Sequence, residues 1–120
     1  MRRRIDAHVV MEKIIPRITE EYRKLYDIPE DHESMAVFSA DCEDVMWLAV
    51  DDATKKAKIK VIQIETVYGG VDHSWSRYGG EITAIISGEK VADVKSGLHY
   101  AKDYIENKSG NYRLNEDGTL

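Results

Sequence analysis

The side chains best suited to chemistry lie in one long connection, Tyr68–Glu81 (YGGVDHSWSRYGGE). Asp72 and His73 supply a carboxylate and an imidazole, and Trp75 and Arg77 supply an aromatic ring and a cation. A hairpin between two strands needs only about 2–5 linking residues, and this connection is longer. Long loops that carry polar and aromatic side chains usually present them to a ligand or a partner. The sequence therefore predicts a recognition role for this loop.

The loop is not accompanied by the residues of a metal, cofactor or catalytic site. Asp72 and His73 are two ligands, fewer than the four of a tetrahedral zinc site. The other histidines, His8, His32 and His99, show no ligand spacing. The two YGG repeats lack the strand–helix context of a dinucleotide site. Since no nucleophile–base pair, phosphate-binding loop or paired-carboxylate motif stands out, we predict no enzymatic activity, no cofactor and no metal.

Length and composition limit the class of protein. The chain has 120 residues and a net charge of −5, which predicts one domain and argues against a nucleic-acid partner. The single Cys42 excludes an internal disulfide framework. No run approaches the about 18 apolar residues of a membrane span, and no signal peptide begins the chain. We therefore expect a soluble, cytoplasmic protein with neither a nucleic-acid nor a membrane partner.

The apolar residues repeat with the periods of four strands and three helices. The predicted strands are Arg4–Met11, Met35–Ala40, Lys58–Thr66 and Glu81–Ser87. The first helix is predicted from about Ile14 to Tyr26, with Pro16 in its first turn and Pro29 beyond its end. The second runs from an N-cap at Ser39 or Asp41 to about Ala57, and the third from Val91 to about Glu106.

This order of elements predicts an α/β fold, an α+β sandwich with one four-stranded antiparallel sheet and helices on one face. From Met35 onward the order β-α-β-β-α is most of a ferredoxin-like split βαβ unit. The strand at Arg4–Met11 would supply the missing last strand from the N-terminus, as in a circular permutation. We expect one domain over residues 1–107 and a polar tail over residues 108–120.

Three motifs, in one order and at fixed spacings, resemble those of bacterial microcompartment (BMC) shell proteins. They are Ser39–Val45 (SADCEDV), Asp52–Ala57 (DATKKA), and Gly80-Glu81-Ile82 followed by Gly88 and Ala92–Leu98 (ADVKSGL). The similarity runs from about Arg17 to Asn107 and is greatest to the first of the two tandem domains of the permuted, large ethanolamine-utilization type. It implies a single, circularly permuted BMC domain.

The resemblance also implies a function. BMC shell proteins are structural tiles, and single-domain members form cyclic hexamers while tandem members form trimers. This chain would then assemble with itself and with other shell proteins in the bacterial cytoplasm and pass small polar metabolites through a central pore. In the family the loop between these strands lines the pore. The pore-lining residues would be Gly70, Val71, Asp72, His73, Ser74, Trp75, Ser76 and Arg77.

Four further residues match family positions. Lys55 matches the lysine at the hexamer edge, and Glu43, Asp44 and Glu81 match positions near small-molecule pockets between subunits. Each also has a purely structural interpretation. Glu43 and Asp44 would favour the start of a helix, Lys55 would favour its end, and Glu81 would begin a strand. The loop itself has one too, as a surface loop whose aromatic residues fold back over the sheet.

A second function class is compatible with the same order of elements. A ferredoxin-like trimer of the nitrogen-regulatory (PII-like) kind senses small molecules through a long loop, and Tyr68–Glu81 would be that loop. Fold alone does not separate the two classes. The permuted N-terminal strand and the ADVKSGL stretch favour the shell protein.

Overall fold

The structure is a computed structural model that describes residues 7–67 and 81–108. Four strands form one antiparallel sheet in the order β1-β2-β4-β3. The strands are β1 (Val9–Ile15), β2 (Ser34–Ala40), β3 (Lys60–Val67) and β4 (Glu81–Gly88). The helices are α1 (Glu20–Tyr26), α2 (Glu43–Lys56) and α3 (Val91–Asp103), and a π-helical turn (Tyr104–Lys108) continues α3.

The strand order confirms the permuted fold. β1 pairs with β2 along one edge, with Glu12 opposite Phe38 and Ile14 opposite Ala36. In a ferredoxin-like split βαβ unit this place belongs to the last strand of the chain, and here the N-terminal strand fills it. β4 lies between β2 and β3, so β1 and β3 are the two edges of the sheet.

The two long helices cover one face of the sheet and enclose the main core. α2 packs on β3 and β4, while α3 packs on β1, β2 and β4. Successive strand residues point to opposite faces, so alternate residues of β2 and β4 face the helices. The fully buried strand residues of this layer are Ala36, Phe38, Ala40, Ile82, Ala84 and Ile86. α2 contributes Val45, Met46, Ala49, Val50 and Ala53, and α3 contributes Val94, Leu98 and Ala101.

The opposite face has a smaller apolar cluster at one end. Ile18 and Ile28, which flank α1, pack there on Met35 and Ile85. Polar side chains on this face pair with each other: the hydroxyls of Ser39 and Thr83 lie 3.0 Å apart. Buried hydroxyls need such partners, because an unpaired one costs about 1–3 kcal/mol.

The predicted bounds near the N-terminus were wrong. The strand predicted over Arg4–Met11 runs from Val9 to Ile15, and the predicted start of the first helix therefore belongs to a strand. A residue before proline is biased to extended backbone, which keeps Ile15 in β1. The helix begins only at Glu20, because the Thr19 side chain accepts a hydrogen bond from the backbone N–H of Tyr22 at 3.2 Å.

The predicted N-caps of α2 were also wrong. Cys42 occupies the N-cap position and makes no side-chain cap hydrogen bond. Ser39 lies within β2, and Asp41 turns its carboxylate to the backbone N–H of His8 at 2.7 Å. The Asp41 carboxylate therefore ties α2's entry to the chain before β1 instead of capping the helix.

Candidate functional site

The loop between β3 and β4 leaves the sheet at a defined end. Val67, the last residue of β3, pairs with Glu81, the first residue of β4. Ala40, the last residue of β2, pairs with Ile82. We call this the loop end of the sheet. The predicted pore-lining residues lie outside the described residues; they are Gly70, Val71, Asp72, His73, Ser74, Trp75, Ser76 and Arg77.

The loop end also holds the three predicted ligand-binding acids. Glu43 and Asp44 form the first turn of α2, which starts just beyond β2, and Glu81 is the half-buried first residue of β4. No hydrogen bond or ion pair among the described residues joins the three carboxylates. The first two lie where the positive end of the helix dipole favours negative charge.

A backbone clamp at the loop end was missed from the sequence. Besides accepting from His8, Asp41 donates its own backbone N–H to the His8 carbonyl at 3.2 Å. The Glu106 carboxylate, on the π-helical turn, accepts from the backbone N–H of Val9 at 3.3 Å. The start of β1, the entry to α2 and the end of α3 are thereby held together. No local sequence pattern predicts these hydrogen bonds, because the bonded residues are 33 and 97 positions apart in the chain.

Cys42 lies inside this clamped region and is buried. Burial raises the pKa of its thiol, and the neighbouring Asp44 and Asp41 charges act in the same direction, while backbone N–H groups oppose them. Since the thiolate is the reactive form, this environment keeps the thiol neutral and unreactive. Among the described residues, no group of three histidine, cysteine or acidic side chains is arranged to hold a metal ion.

Lys55 lies at the opposite end of α2. At 1.5 Å per residue, twelve positions separate it from Glu43 by about 18 Å along the helix axis. Its side chain is 73% exposed, and its only tie in the described part of the chain is an ion pair of 3.0 Å with Asp51. The neighbouring Lys56 instead pairs with Asp52 at 3.2 Å and lies 5.5 Å from the ring centre of Tyr100 on α3. Of these two neighbouring lysines, Lys55 is therefore the one that is accessible to another subunit.

Two open clefts lie near the C-terminal end of α2, beside the start of α3. Their volumes are about 580 and about 520 Å³. Charged side chains of both signs line them, among them Arg17, Lys58, Glu89 and Asp93. None of the three predicted ligand-binding acids lines either of these two clefts.

Comparison with known proteins decides the family. Residues 34–115 match the BMC domain, which is more than half of the chain. The chain belongs to the bacterial microcompartment shell protein family. The family identified from the three sequence motifs is therefore confirmed, and a structural role in a shell follows from it.

Two relatives of this shell domain are of the ethanolamine-utilization type. The shell protein EutL of Clostridium perfringens (strain 13 / Type A) is 33% identical over 116 residues, which are 97% of this chain and 54% of that protein. The structure of the ethanolamine utilization protein EutL from Leptotrichia buccalis C-1013-b matches with a TM-score of 0.79 and 38% identity, over 90% of this chain and 50% of that one. The chain thus spans about half the length of these relatives.

A more distant structure shows the same fold. The trimeric bacterial microcompartment shell protein PduB matches with a TM-score of 0.60 at 19% identity, over 78% of this chain and 40% of that one. At this identity the likeness concerns the fold alone. In the described part of the shell domain, no helix has both the length and the apolar composition to cross a membrane.

The outward face of α2 was not recognised from the sequence. Leu48 is 37% exposed, and Trp47 is 52% exposed. The core side of the helix is formed by Val45, Met46, Ala49, Val50 and Ala53. A helical wheel drawn on those five residues places Trp47 and Leu48 outside their arc, and that signal was available in the sequence.

Proposed function

We propose that the shell domain forms cyclic hexamers that tile edge to edge in a microcompartment shell and carry a central pore for small polar metabolites. The observation that supports this most directly is the placement of two predicted sites at opposite ends of α2. The loop joining β3 to β4 leaves from the loop end, and Lys55 lies about 18 Å away along the helix.

A ring of such domains needs one end at the axis and the other at the perimeter. With the loop end toward the axis, the six copies of the loop surround an opening, and the six Lys55 side chains point to neighbouring rings. The reverse orientation would place the loops at the perimeter and the lysines around the axis. We infer the first orientation, because in this family the loop between these two strands lines the pore and the lysine that Lys55 matches lies at the hexamer edge.

The loop's composition suggests what such a pore selects. Repeated around an axis, Asp72 and His73 form rings of polar or charged groups, and rings of this kind select among solutes in channels. Trp75 would narrow the opening. These features suit small polar molecules, and the ethanolamine-utilization relatives make an intermediate of that pathway the first candidate.

The remaining parts of the proposal follow from family membership. BMC shell proteins are structural, so the domain would have no catalytic activity and would work with other shell proteins in the bacterial cytoplasm. Glu43, Asp44 and Glu81 would contribute to a ligand pocket between subunits, as the family positions that they match imply. The alternative function, a PII-like trimeric sensor, has no supporting observation in the fold or in the relatives.

Native mass spectrometry over a range of protein concentrations tests this proposal. We expect a species of six times the 13.7 kDa chain mass that persists on dilution into the low micromolar range. A chain that stays monomeric at every concentration would contradict the proposal. So would a stable trimer that binds a nucleotide, because that is the behaviour of the sensor class.

A further inference from the structure

The described part of the chain exposes large apolar residues in three places. Val10 and Met11 lie on β1 with 49% and 42% of their surface exposed. Trp47 and Leu48 lie on α2, and Tyr22 and Leu25 lie on α1. Isolated exposed apolar residues are ordinary, but a tryptophan is enriched at protein interfaces and often carries much of their binding energy.

Trp47 and the β1 residues lie on opposite flanks of the domain. β1 and β3 are the two edges of the sheet, and α2 packs on the β3 side. Lys56 faces α3, since its ammonium lies over Tyr100. Trp47 is nine positions earlier, which is about 180° around the helix. Trp47 therefore points away from α3, toward the β3 edge.

The charges on the two flanks are complementary. Asp44 is exposed on the same side of α2 as Trp47, and Lys13 is exposed on β1 beside Met11. Asp51, also on this side of α2, is already paired with Lys55 at 3.0 Å. The β1 acid Glu12 is held by Lys102 at 2.6 Å, which leaves Lys13 as the open charge of that strand. Within the described residues neither Asp44 nor Lys13 has an ion-pair partner. Beside their exposed apolar residues, the two flanks thus carry open charges of opposite sign, Asp44 on one and Lys13 on the other.

From these observations we propose that the α2 flank (Asp44 and Trp47) of one copy docks on the β1 flank (Val10, Met11 and Lys13) of the next copy. The inference rests on the proposed ring, and it names the surfaces that close it. A ring requires two different surfaces on each subunit that meet head to tail, because identical surfaces meeting each other give a closed dimer. Two complementary surfaces on opposite flanks satisfy this requirement.

Charge reversal distinguishes a lost contact from a loss of folding, because two folded variants with opposite reversals can still bind each other. Asp44→Lys makes both flanks basic, and Lys13→Glu makes both flanks acidic. Each variant alone should raise the protein concentration at half dissociation by at least about tenfold, since like charges then meet at every contact. An equimolar mixture should restore rings, because alternating the two variants makes every contact complementary. With one variant labelled with ¹⁵N, native mass spectrometry should find rings of both in equal numbers.

A pair of apolar substitutions supplies an independent readout. Trp47→Ser should raise the concentration at half dissociation by about thirtyfold, the loss typical of a central interface residue. The matched control is Leu25→Ser on α1, a residue that is 68% exposed and lies on neither flank. It should leave assembly unchanged.

The possible results separate this inference from the proposed function. If the unchanged chain forms hexamers and the reversal variants form them equally well, the docking surfaces are wrong while the shell proposal stands. If the single variants dissociate and their mixture stays dissociated, the head-to-tail pairing is wrong. If the unchanged chain forms no ring at any concentration, the proposed function fails and this inference fails with it.

Discussion

The two faces of α2 differ in what their residues do. The inward face is fully buried and consists of small or flexible apolar residues, Ala49 and Ala53 among them, which let the helix approach the sheet closely. The outward face carries Trp47 and Lys55, which make little contact within the subunit. Packing density explains the first face, and no interaction among residues 7–67 and 81–108 explains the second. The inward face determines the fold, and the outward face is free to serve assembly.

The largest effect should come from matched truncations on the two faces. Met46→Ala removes a side chain that is 0% exposed and should lower the free energy of unfolding by about 2–5 kcal/mol. Leu48→Ala removes a similar volume from the outward face, where the side chain is 37% exposed, and should lower it by only about 1 kcal/mol. Urea denaturation measures both. Equal losses would show that Leu48 is part of the core, and the distinction between the faces would be lost.

A smaller effect is expected where α3 packs on the sheet. A Cβ atom at Gly97 would lie 2.8 and 2.9 Å from two side-chain atoms of Ile59, closer than real contacts allow. Gly97→Ala gains about 1 kcal/mol of helix propensity, but overpacking costs about 1–3 kcal/mol. We expect a net destabilisation of about 1 kcal/mol. The exposed neighbour offers the control, since Ser96→Ala should be neutral or slightly stabilising; a stabilising Gly97→Ala would mean that Ile59 moves aside easily.

The buried Cys42 thiol makes the free energy of unfolding depend on pH. Burial raises the pKa of Cys42 above its ordinary value of 9.0, so the unfolded chain releases this proton at a lower pH than the folded chain does. The stabilisation is complete below that value and is lost as pH rises through the folded-state pKa. Between about pH 8 and about pH 10, Cys42→Ala should lose less unfolding free energy than the unchanged chain. Parallel losses in the two proteins would show that the thiol titrates alike in both states.

The smallest effect on stability belongs to Lys55. Its ion pair with Asp51 is exposed, and such pairs contribute about 0–1 kcal/mol, so Lys55→Ala should unfold nearly like the unchanged chain. The same variant should form hexamers but fewer extended sheets, scored by electron microscopy. Lys24→Ala, an exposed lysine on α1, is the matched control and should form sheets normally. If Lys55→Ala forms sheets as the unchanged chain does, Lys55 does not contribute to the contacts between hexamers.

Much of the fold was predictable from the sequence. β3 and β4 alternate, α2 and α3 keep a helical period, and the split βαβ order leaves one place in the sheet for the N-terminal strand. The region around Pro16 was not predictable in the same way, because Ile14 and Ile15 fit a helical stripe and a strand equally well. The outcome depended on their pairing with β2, which is a tertiary contact.

The candidate site was likewise predictable only where it depends on local sequence patterns. The position of the loop between two strands follows from periodicity, and so does the location of Lys55 at the end of a helix. The clamp of Asp41 on His8 does not, because it joins residues far apart in the chain. The outward position of Trp47 could have been found from the sequence, because it lies outside the arc of the five apolar residues of α2 that face the core.

Electron microscopy of negatively stained particles can determine whether the domains form sixfold rings with the loops at the axis. We expect flat, sixfold-symmetric class averages with a central feature where the six loops between β3 and β4 meet, and Lys55 at the outer rim. Particles without sixfold symmetry, or rings in which a bulky label on a Lys55→Cys variant appears near the axis, would contradict it.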